Sequence, residues 1–477
     1  MRARHLQLLA GITIAGALLR FLTLDVQSYW LDEVATVNIL HKGFGHMFSA
    51  IASGESTPPL YYVVAWVWAK VFGTGEVGLR SLSALFGTAT IPLAFVLGRD
   101  LVGRRTGLVA AALCAFNPLL IWYSQEARSY ALMILLTGMS LLAFLRALEH
   151  GVPRRYVIWA LVSVAAVATH YYAGFLVGAE ALWLVWRSPV RRRAVFASGA
   201  VALLAAALLP LALHQRSTGA AAFISQSSLA RRLAQVPKQF AVGYQGPLET
   251  AITIAALLLI AYGVVLLVTA ARPRDRSRAL MFAALGAATI LAPFVLAIIG
   301  PDYLIARNVI AALLPLAVTL AAGFATRRAG VVAAALLCAL GLVQVIGVDT
   351  QERYQRDNWR AAGKFIGKGN MPTAVIVTPA SGAVPMLHYL RDGRPTPANG
   401  AAVKEIAFVG MAARLPGEAP KPPRPPAVGA AGFTEVRRKQ GSTYTVVIET
   451  SPVGTTVPPQ VGASSLDGRP AVTLYQP

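Results

Sequence analysis

Two adjacent carboxylates, Asp32 and Glu33, stand in the stretch SYWLDEVAT, just after the first long apolar run of the chain. Farther on, QEARSY carries Glu126, Arg128 and Tyr130, the stretch THYYAGF carries His170 and Tyr171, and PDYLIARN carries Arg307. A carboxylate can take a proton from an attacking hydroxyl. An arginine fork can hold two oxygens of a phosphate at once, which an ammonium cannot. Acid, base and cation together suit a lipid phosphate held at headgroup depth, provided the chain brings them to one face of a membrane.

The composition supplies that membrane. With 56% hydrophobic and only 13% charged residues, a mean hydropathy of +0.58, and repeated apolar runs near the length of a bilayer span, the chain reads as a polytopic α-helical membrane protein. Its 43 Lys plus Arg against 21 Asp plus Glu leave +22. In a membrane protein this excess reflects cytoplasmic loops at anionic lipid, so nucleic acid is not an expected partner. Cys114 and Cys338 both lie inside apolar runs, so neither a disulfide framework nor a thiolate metal site is expected. The N-terminus has a basic start and an apolar stretch but no small-residue cleavage site, and it reads as a retained first span.

Six arginine clusters, at 2–4, 99–105, 146–155, 187–193, 272–278 and 327–328, mark cytoplasmic loops. Crossings between them fall near 6–24, 77–98, 106–124, 130–147, 156–169, 173–187, 195–213, 250–270, 279–299, 308–325 and 330–348. That makes about eleven spans, with the N-terminus inside and the C-terminus outside. The apolar run at 58–73 would invert every later cluster if it crossed. It reads instead as a juxtamembrane helix in the outer interface, opened by Pro58-Pro59 and carrying Tyr61, Tyr62, Trp66 and Trp68 for the headgroup belt.

This threading places Asp32, Glu33, Glu55, Glu126, Arg128, His170 and Arg307 on the outer side, with Arg216, Arg231, Arg232 and Lys238 in the fourth outer loop. Each also has a plainer reading. A carboxylate pair in a loop can be a solvated helix cap, arginines at span ends can be snorkelling anchors, and an interfacial histidine can be a satisfied structural group. Glu180, inside a span, is costly unless paired, and the sequence does not name its partner.

From about residue 349 the spans stop. Strand-like runs TAVIVTP, YTVVIET and AVTLY, with a helix-like segment around DNWRAAGKFI, predict a small extracytoplasmic α/β domain over 349–477. A proline-rich loop interrupts it at 415–429. The transmembrane domain is then 1–348, with its first outer loop at 25–76, and no internal repeat is evident.

The stretches WLDEVAT, STPPLYY, EVGLRSLSALFG, NPLLIWYSQEARSYAL, THYYAGF and YLIARNVIAALLP resemble, in order and spacing, the GT-C membrane glycosyltransferases, in the branch of protein O-mannosyltransferases and lipid A aminoarabinose transferases. The resemblance covers roughly the first 350 residues. It implies a GT-C-like membrane fold and an inverting transfer of a sugar from a polyprenyl-phosphate donor to an acceptor outside a bacterial cytoplasmic membrane. The family's first-loop acidic motif falls on Asp32 and Glu33, the first being the implied general base. The implied donor-phosphate residues are Arg128 and Arg307, with His170 and Tyr171 beside them, while Glu126, Glu55 and Tyr130 orient substrate. Where the aminoarabinose branch has Glu-Lys and the mannosyltransferase branch a His before the Pro-Pro, this chain has Ser56 and Thr57, so a direct phosphate or metal role there is not expected. No Asp-x-Asp stands in the first outer loop, unlike the metal-dependent oligosaccharyltransferase branch, so no cofactor or obligatory divalent metal is expected. The expected partners are the lipid-linked sugar donor, a glycan, lipid or protein acceptor, and membrane lipid. The alternatives are a transporter or flippase of lipid-linked sugars, which would spread charge through the bilayer depth, and a non-catalytic envelope scaffold. Asp32 and Glu33 carry the catalytic reading.

Overall fold

The computed structural model describes residues 2–219, 224–225, 227–300, 302–368, 371–412, 430, 432–461 and 470–477. The expected proline-rich loop at 415–429 lies outside them. The chain packs as two compact units, one made of Met1–Leu24 with Ile39–Val345 and the other of Asp25–Asn38 with Ile346–Pro477.

The first unit is helical. A helix occupies each of the eleven stretches expected to cross: Arg2–Phe21, Glu76–Leu101, the pair Arg104–Phe116 and Pro118–Ser124, Tyr130–His150, Pro153–Thr169, Ala173–Arg187, Arg191–Ser217, Glu249–Ala270, Pro273–Ile299, Leu313–Phe324 with the 3-10 turn Ala306–Ala312 before it, and Arg328–Thr350. Among the described residues seven are long and apolar enough to cross a membrane unaided, or eight if the pair counts as one broken span. Pro153–Thr169 and Ala173–Arg187 have 17 and 15 residues, shorter than the roughly 20 that a straight crossing needs. The helix Leu60–Phe72 has 13, about 20 Å of rise against a hydrocarbon core of roughly 30 Å, and so is too short to cross. It starts directly after Pro59.

The break in the pair has a specific cause. Pro118 lacks the N–H that would reach the carbonyl of Cys114, and the chain bends there by 60°. Arg20, 1% exposed, donates to the freed carbonyls of Cys114 and Ala115, each at 3.0 Å, and through Nε to Ser124 at 3.1 Å. Asn117 caps the second piece, accepting from the N–H of Leu120 at 3.0 Å and donating to the carbonyl of Phe240 at 2.8 Å. Gly87 leaves the room that Ser124 fills, for a Cβ there would sit 1.9 Å from the Ser124 hydroxyl oxygen. This joint aims the turn that carries Glu126 and Arg128.

In the second unit, strands β1 (Thr373–Thr378), β2 (Arg394–Pro395), β3 (Ala401–Met411), β4 (Thr434–Gln440), β5 (Tyr444–Val457), β6 (Gln460–Val461) and β7 (Ala471–Gln476) form one mixed sheet. Its order is β2-β7-β1-β3-β5-β4, with β6 on β7. β1 and β3 are parallel; the other pairings are antiparallel. Alternation sorts β1 between two cores: Val375 and Val377 pack with Trp359, Ile366 and Met386 of the helices Trp359–Ile366 and Ala383–Tyr389, while Ala374 and Ile376 pack with Phe408 and Val457. The edge strand β4 is exposed throughout and carries Arg437, Arg438 and Lys439, charges that discourage another strand from pairing there.

Candidate active site

Within the helical unit, the chain leaves the helix Phe44–Gly54 at Glu55 in an extended conformation and enters Leu60–Phe72 through Pro58-Pro59. Tyr61 and Tyr62, expected at a headgroup belt, are instead buried inside the protein at 0% and 1% exposure. The acid and the second tyrosine meet Arg128. Its Nη1 lies 2.6 Å from Oε1 of Glu55 and its Nη2 2.7 Å from Oε2. Nη1 also donates to the Tyr62 hydroxyl at 3.0 Å. Arg128 sits in a tight turn whose N–H reaches the carbonyl of Glu126 at 2.8 Å, and its own carbonyl accepts from Ser83 at 3.4 Å. Burial, opposed by the Arg128 charge, pushes the Tyr62 phenol well above its usual range, so the hydroxyl stays protonated.

His170 ends the helix Pro153–Thr169 in an extended conformation. It is 2% exposed, and burial, reinforced by the charges of Arg128 and Arg307, lowers its pKa to about 3. The ring is therefore neutral at physiological pH and adds no positive charge to this cluster, in which Glu55 compensates the charge of Arg128. Its Nδ1 accepts the N–H of Tyr172 at 3.3 Å, which assigns the ring proton to Nε2. A series of rings runs past it: Tyr130 at 5.3 Å, Tyr172 at 4.9 Å, and Tyr303 5.8 Å from Tyr172. Arg307 bears on His170 and Tyr172 alike, so Arg128, Tyr130, His170 and Arg307 form one neighbourhood.

Sequence reasoning missed three members of it. Gln215 donates to the carbonyls of Ile51 and Thr57 at 3.0 and 3.1 Å and accepts from the Tyr171 hydroxyl at 2.9 Å. Tyr62 and Thr57 are the others, with their hydroxyls 3.4 Å apart. The Tyr171 proton is thus directed at Gln215, and burial pushes its pKa up to about 12. A cavity of about 320 Å³ opens beside these residues, lined by Ser56, Tyr171, Tyr172, Gln215, Arg216 and Tyr303 together with Val167, Phe175, Leu208 and Leu209. A larger cavity of about 360 Å³ among Leu113, Phe240, Leu257, Leu313 and Leu337 has no charged lining residue and offers nothing to a phosphate.

Two of the cations expected in the fourth outer loop are engaged with acids. Arg232 forks Asp302 at 2.7 and 2.5 Å and donates to the carbonyl of Leu304 at 2.9 Å. Lys238 pairs with Glu249 at 2.9 Å. Arg231 and Arg216 are exposed. Glu180, whose partner the sequence could not name, accepts from Trp159 Nε1 at 2.7 Å and Ser140 at 3.0 Å.

Asp32 and Glu33 belong to the second unit. Both lie in the first turn of the helix Leu31–His41, where negative charge suits the helix dipole. Glu33 is fully buried and Asp32 partly so. The N–H groups of Glu33 and Val34 donate to the carbonyl of Trp30 at 3.1 and 3.0 Å, and the Thr36 hydroxyl closes on the carbonyl of Asp32 at 3.1 Å. Among the described residues no group of three or more His, Cys, Asp or Glu has the arrangement of a metal site.

Residues 56–214 match the family model described as dolichyl-phosphate-mannose-protein mannosyltransferase. The comparison with curated proteins found no match. Among solved structures, ArnT from Cupriavidus metallidurans bound to undecaprenyl phosphate is similar at 14% identity and a TM-score of 0.54, over 94% of this chain and 99% of that one. The apo state of the same protein aligns at 18% identity and 0.45, over 66% of this chain and 59% of that one. The Archaeoglobus fulgidus oligosaccharyltransferase tethered with an acceptor peptide aligns at 13% and 0.43, over 77% and 57%. The likeness to undecaprenyl-phosphate-bound ArnT carries the fold alone, a helical multi-pass membrane unit with a small C-terminal sheet domain, which is the architecture expected from the sequence.

Proposed function

We propose that the chain is an inverting GT-C glycosyltransferase that moves a sugar from a polyprenyl-phosphate donor to a hydroxyl acceptor on the outer side of a bacterial cytoplasmic membrane. Asp32 takes the proton of the acceptor hydroxyl, whose oxygen attacks the anomeric carbon. The bond from that carbon to the phosphate oxygen breaks, the electron pair leaves with the lipid phosphate, and the single displacement inverts the carbon. Arg128 and Arg307 stabilise the leaving phosphate, and neutral His170 offers it the Nε2 proton. Glu55 holds Arg128 in place, Glu126 and Tyr130 orient the donor, Tyr171 walls the cavity, and Glu33 supports the helix turn that bears Asp32. No metal takes part.

The observation that carries this reading is Tyr172, whose ring lies 4.9 Å from His170 and also lines a largely apolar cavity with Tyr171 and Tyr303; a polar cluster one ring away from such a cavity suits a ligand that is phosphate at one end and isoprenoid at the other. The similar ArnT structure holds undecaprenyl phosphate, a carrier of that kind. The test is a screen of radiolabelled polyprenyl-phosphate sugars against cell-envelope acceptor fractions with reconstituted protein. Transfer with inversion is expected, lost in Asp32→Asn while donor binding persists. Full activity in that variant overturns the mechanism, and donor movement across the bilayer without covalent transfer points to a flippase.

A further inference from the structure

The C-terminal unit was legible in the sequence only as an appended α/β domain without a role. Its contacts give it one. The segment 25–30, which leads into the helix bearing Asp32, has no regular secondary structure that could fix it locally, and nearly every residue of it is bonded to residues more than three hundred positions away. Arg360 donates through Nη2 to the carbonyls of Asp25 and Val26 at 2.6 and 3.1 Å. The Gln27 side chain accepts the N–H of Arg356 at 2.9 Å. The Ser28 hydroxyl donates to the carbonyl of Asp357 at 2.7 Å and accepts from the N–H of Trp359 at 3.2 Å. The N–H of Tyr29 donates to the Tyr389 hydroxyl at 2.6 Å.

Apart from the bond of Arg360 to Asp25, which is exposed, these bonds lie at least partly out of water. Gln27, Ser28 and Tyr29 are 5%, 2% and 0% exposed, and Arg356 and Trp359 are 6% and 3%. The Tyr29 ring lies 5.7 Å from His388, and the Arg356 guanidinium 5.9 Å from the Trp30 ring. The carbonyl of Trp30 then receives the N–H groups of Glu33 and Val34, which closes the first turn of the helix. Asp32 is thus two residues beyond a clamped segment, on a helix whose first turn starts from it.

We infer that residues 356–360 and Tyr389 are positioning residues for Asp32, so that the C-terminal unit is part of the catalytic apparatus through the clamp on 25–30. The inference rests on the reading of Asp32 as general base. A base must sit within a few tenths of an ångström of its proton, and a displacement of about 1 Å can cost roughly a hundredfold in rate. A loop held by its own residues alone does not give that registration; six polar bonds to a sheet-supported frame do.

The experiment uses the full chain in lipid nanodiscs, with Tyr389→Phe, which removes one hydroxyl, and Arg360→Ala, which frees two carbonyls. The expected result has three parts. Hydrogen exchange rises over 25–38 but not over the strands. Binding of undecaprenyl phosphate is unchanged. The kcat for transfer from the radiolabelled undecaprenyl-phosphate sugar used by the wild type falls about tenfold or more at unaltered donor KM. In an Asp32→Asn background neither variant lowers the residual rate further, because both act through the carboxylate that is gone. Wild-type kcat in a variant whose 25–38 segment exchanges freely overturns the positioning role and leaves the base reading intact. A fully active Asp32→Asn, or a wild type that transfers no sugar, overturns the base reading and the inference with it. Should Tyr389→Phe fail to fold, Arg360→Ala supplies the same readouts from the other end of the clamp.

Discussion

Glu55 forks the guanidinium of Arg128, with Nη1 to Oε1 at 2.6 Å and Nη2 to Oε2 at 2.7 Å, and the two side chains are only 4% and 7% exposed. A buried pair of this geometry owes its stability to both partners being present. Removing one strands a charge in a poorly solvated site, at a cost of about 3–5 kcal/mol. Glu55→Ala is therefore expected to lower the thermal stability of the purified protein sharply. The double variant Glu55→Ala with Arg128→Ala should lose clearly less than the sum of the two single changes. Strict additivity in that double-mutant cycle would show that the pair is not the unit it looks to be.

The pH response of stability should carry the signature of His170. Its folded pKa is about 3, below the ordinary value of about 6.5, so between those limits the unfolded chain binds the extra proton. Stability from this group is complete above pH 6.5 and is lost as pH falls toward 3, by up to about 1.4 kcal/mol per pH unit. His170→Asn, which cannot be protonated, is expected to flatten the decline of thermal stability between pH 7 and 4.5. A decline of unchanged steepness would mean that the imidazole is not held neutral.

How much of this was visible beforehand differs between elements for physical reasons. The helices of the first unit were legible because burial in lipid demands long apolar runs, and arginine clusters punctuate them. The acid pair, QEARSY, THYY and ARN were legible as chemistry because polar residues stand out against such runs. The partner of Arg128 was not: Glu55 and Tyr62 lie 73 and 66 positions away, and no local pattern encodes that distance. Tyr62 looked like an interface aromatic because its neighbours are aromatic too. In the C-terminal unit TAVIVTP, YTVVIET and AVTLY matched β1, β5 and β7, whereas β3 escaped notice. Its run AAVKEIAFVGM mixes a charged start with a continuously buried end, so neither alternation nor a uniform apolar run marks it. The clamp on 25–30 was invisible for the same reason as Glu55, being made of long-range bonds to backbone atoms.

The fork of Arg232 on Asp302 anchors the approach to Arg307. Arg232 also bonds the carbonyls of Leu304 and, at 3.0 Å, Ser227, so one guanidinium fixes the start of the stretch that ends in Arg307. Hydrogen bonds from Arg232 hold the Asp302 carboxyl below the usual carboxylate range, so the pair is charged at neutral pH. Asp302→Ala should release this stretch and raise the donor KM by roughly tenfold, with a smaller effect on kcat, if Arg307 serves in binding the donor phosphate. An unchanged KM would separate Arg307 from the donor.

Glu180 is a structural acid in this account, and its variants should behave accordingly. It receives the indole N–H of Trp159, a fully buried side chain, and the hydroxyl of Ser140, which ties the helices Tyr130–His150, Pro153–Thr169 and Ala173–Arg187 together. Glu180→Ala leaves those donors facing a cavity, and an unsatisfied buried polar group costs about 1–3 kcal/mol. Glu180→Gln keeps an amide oxygen for Trp159 at nearly the same volume. The glutamine variant should therefore retain wild-type transfer activity and most of the thermal stability, while the alanine variant loses stability. A glutamine variant that is stable yet inactive would move Glu180 from the frame of the protein into its chemistry.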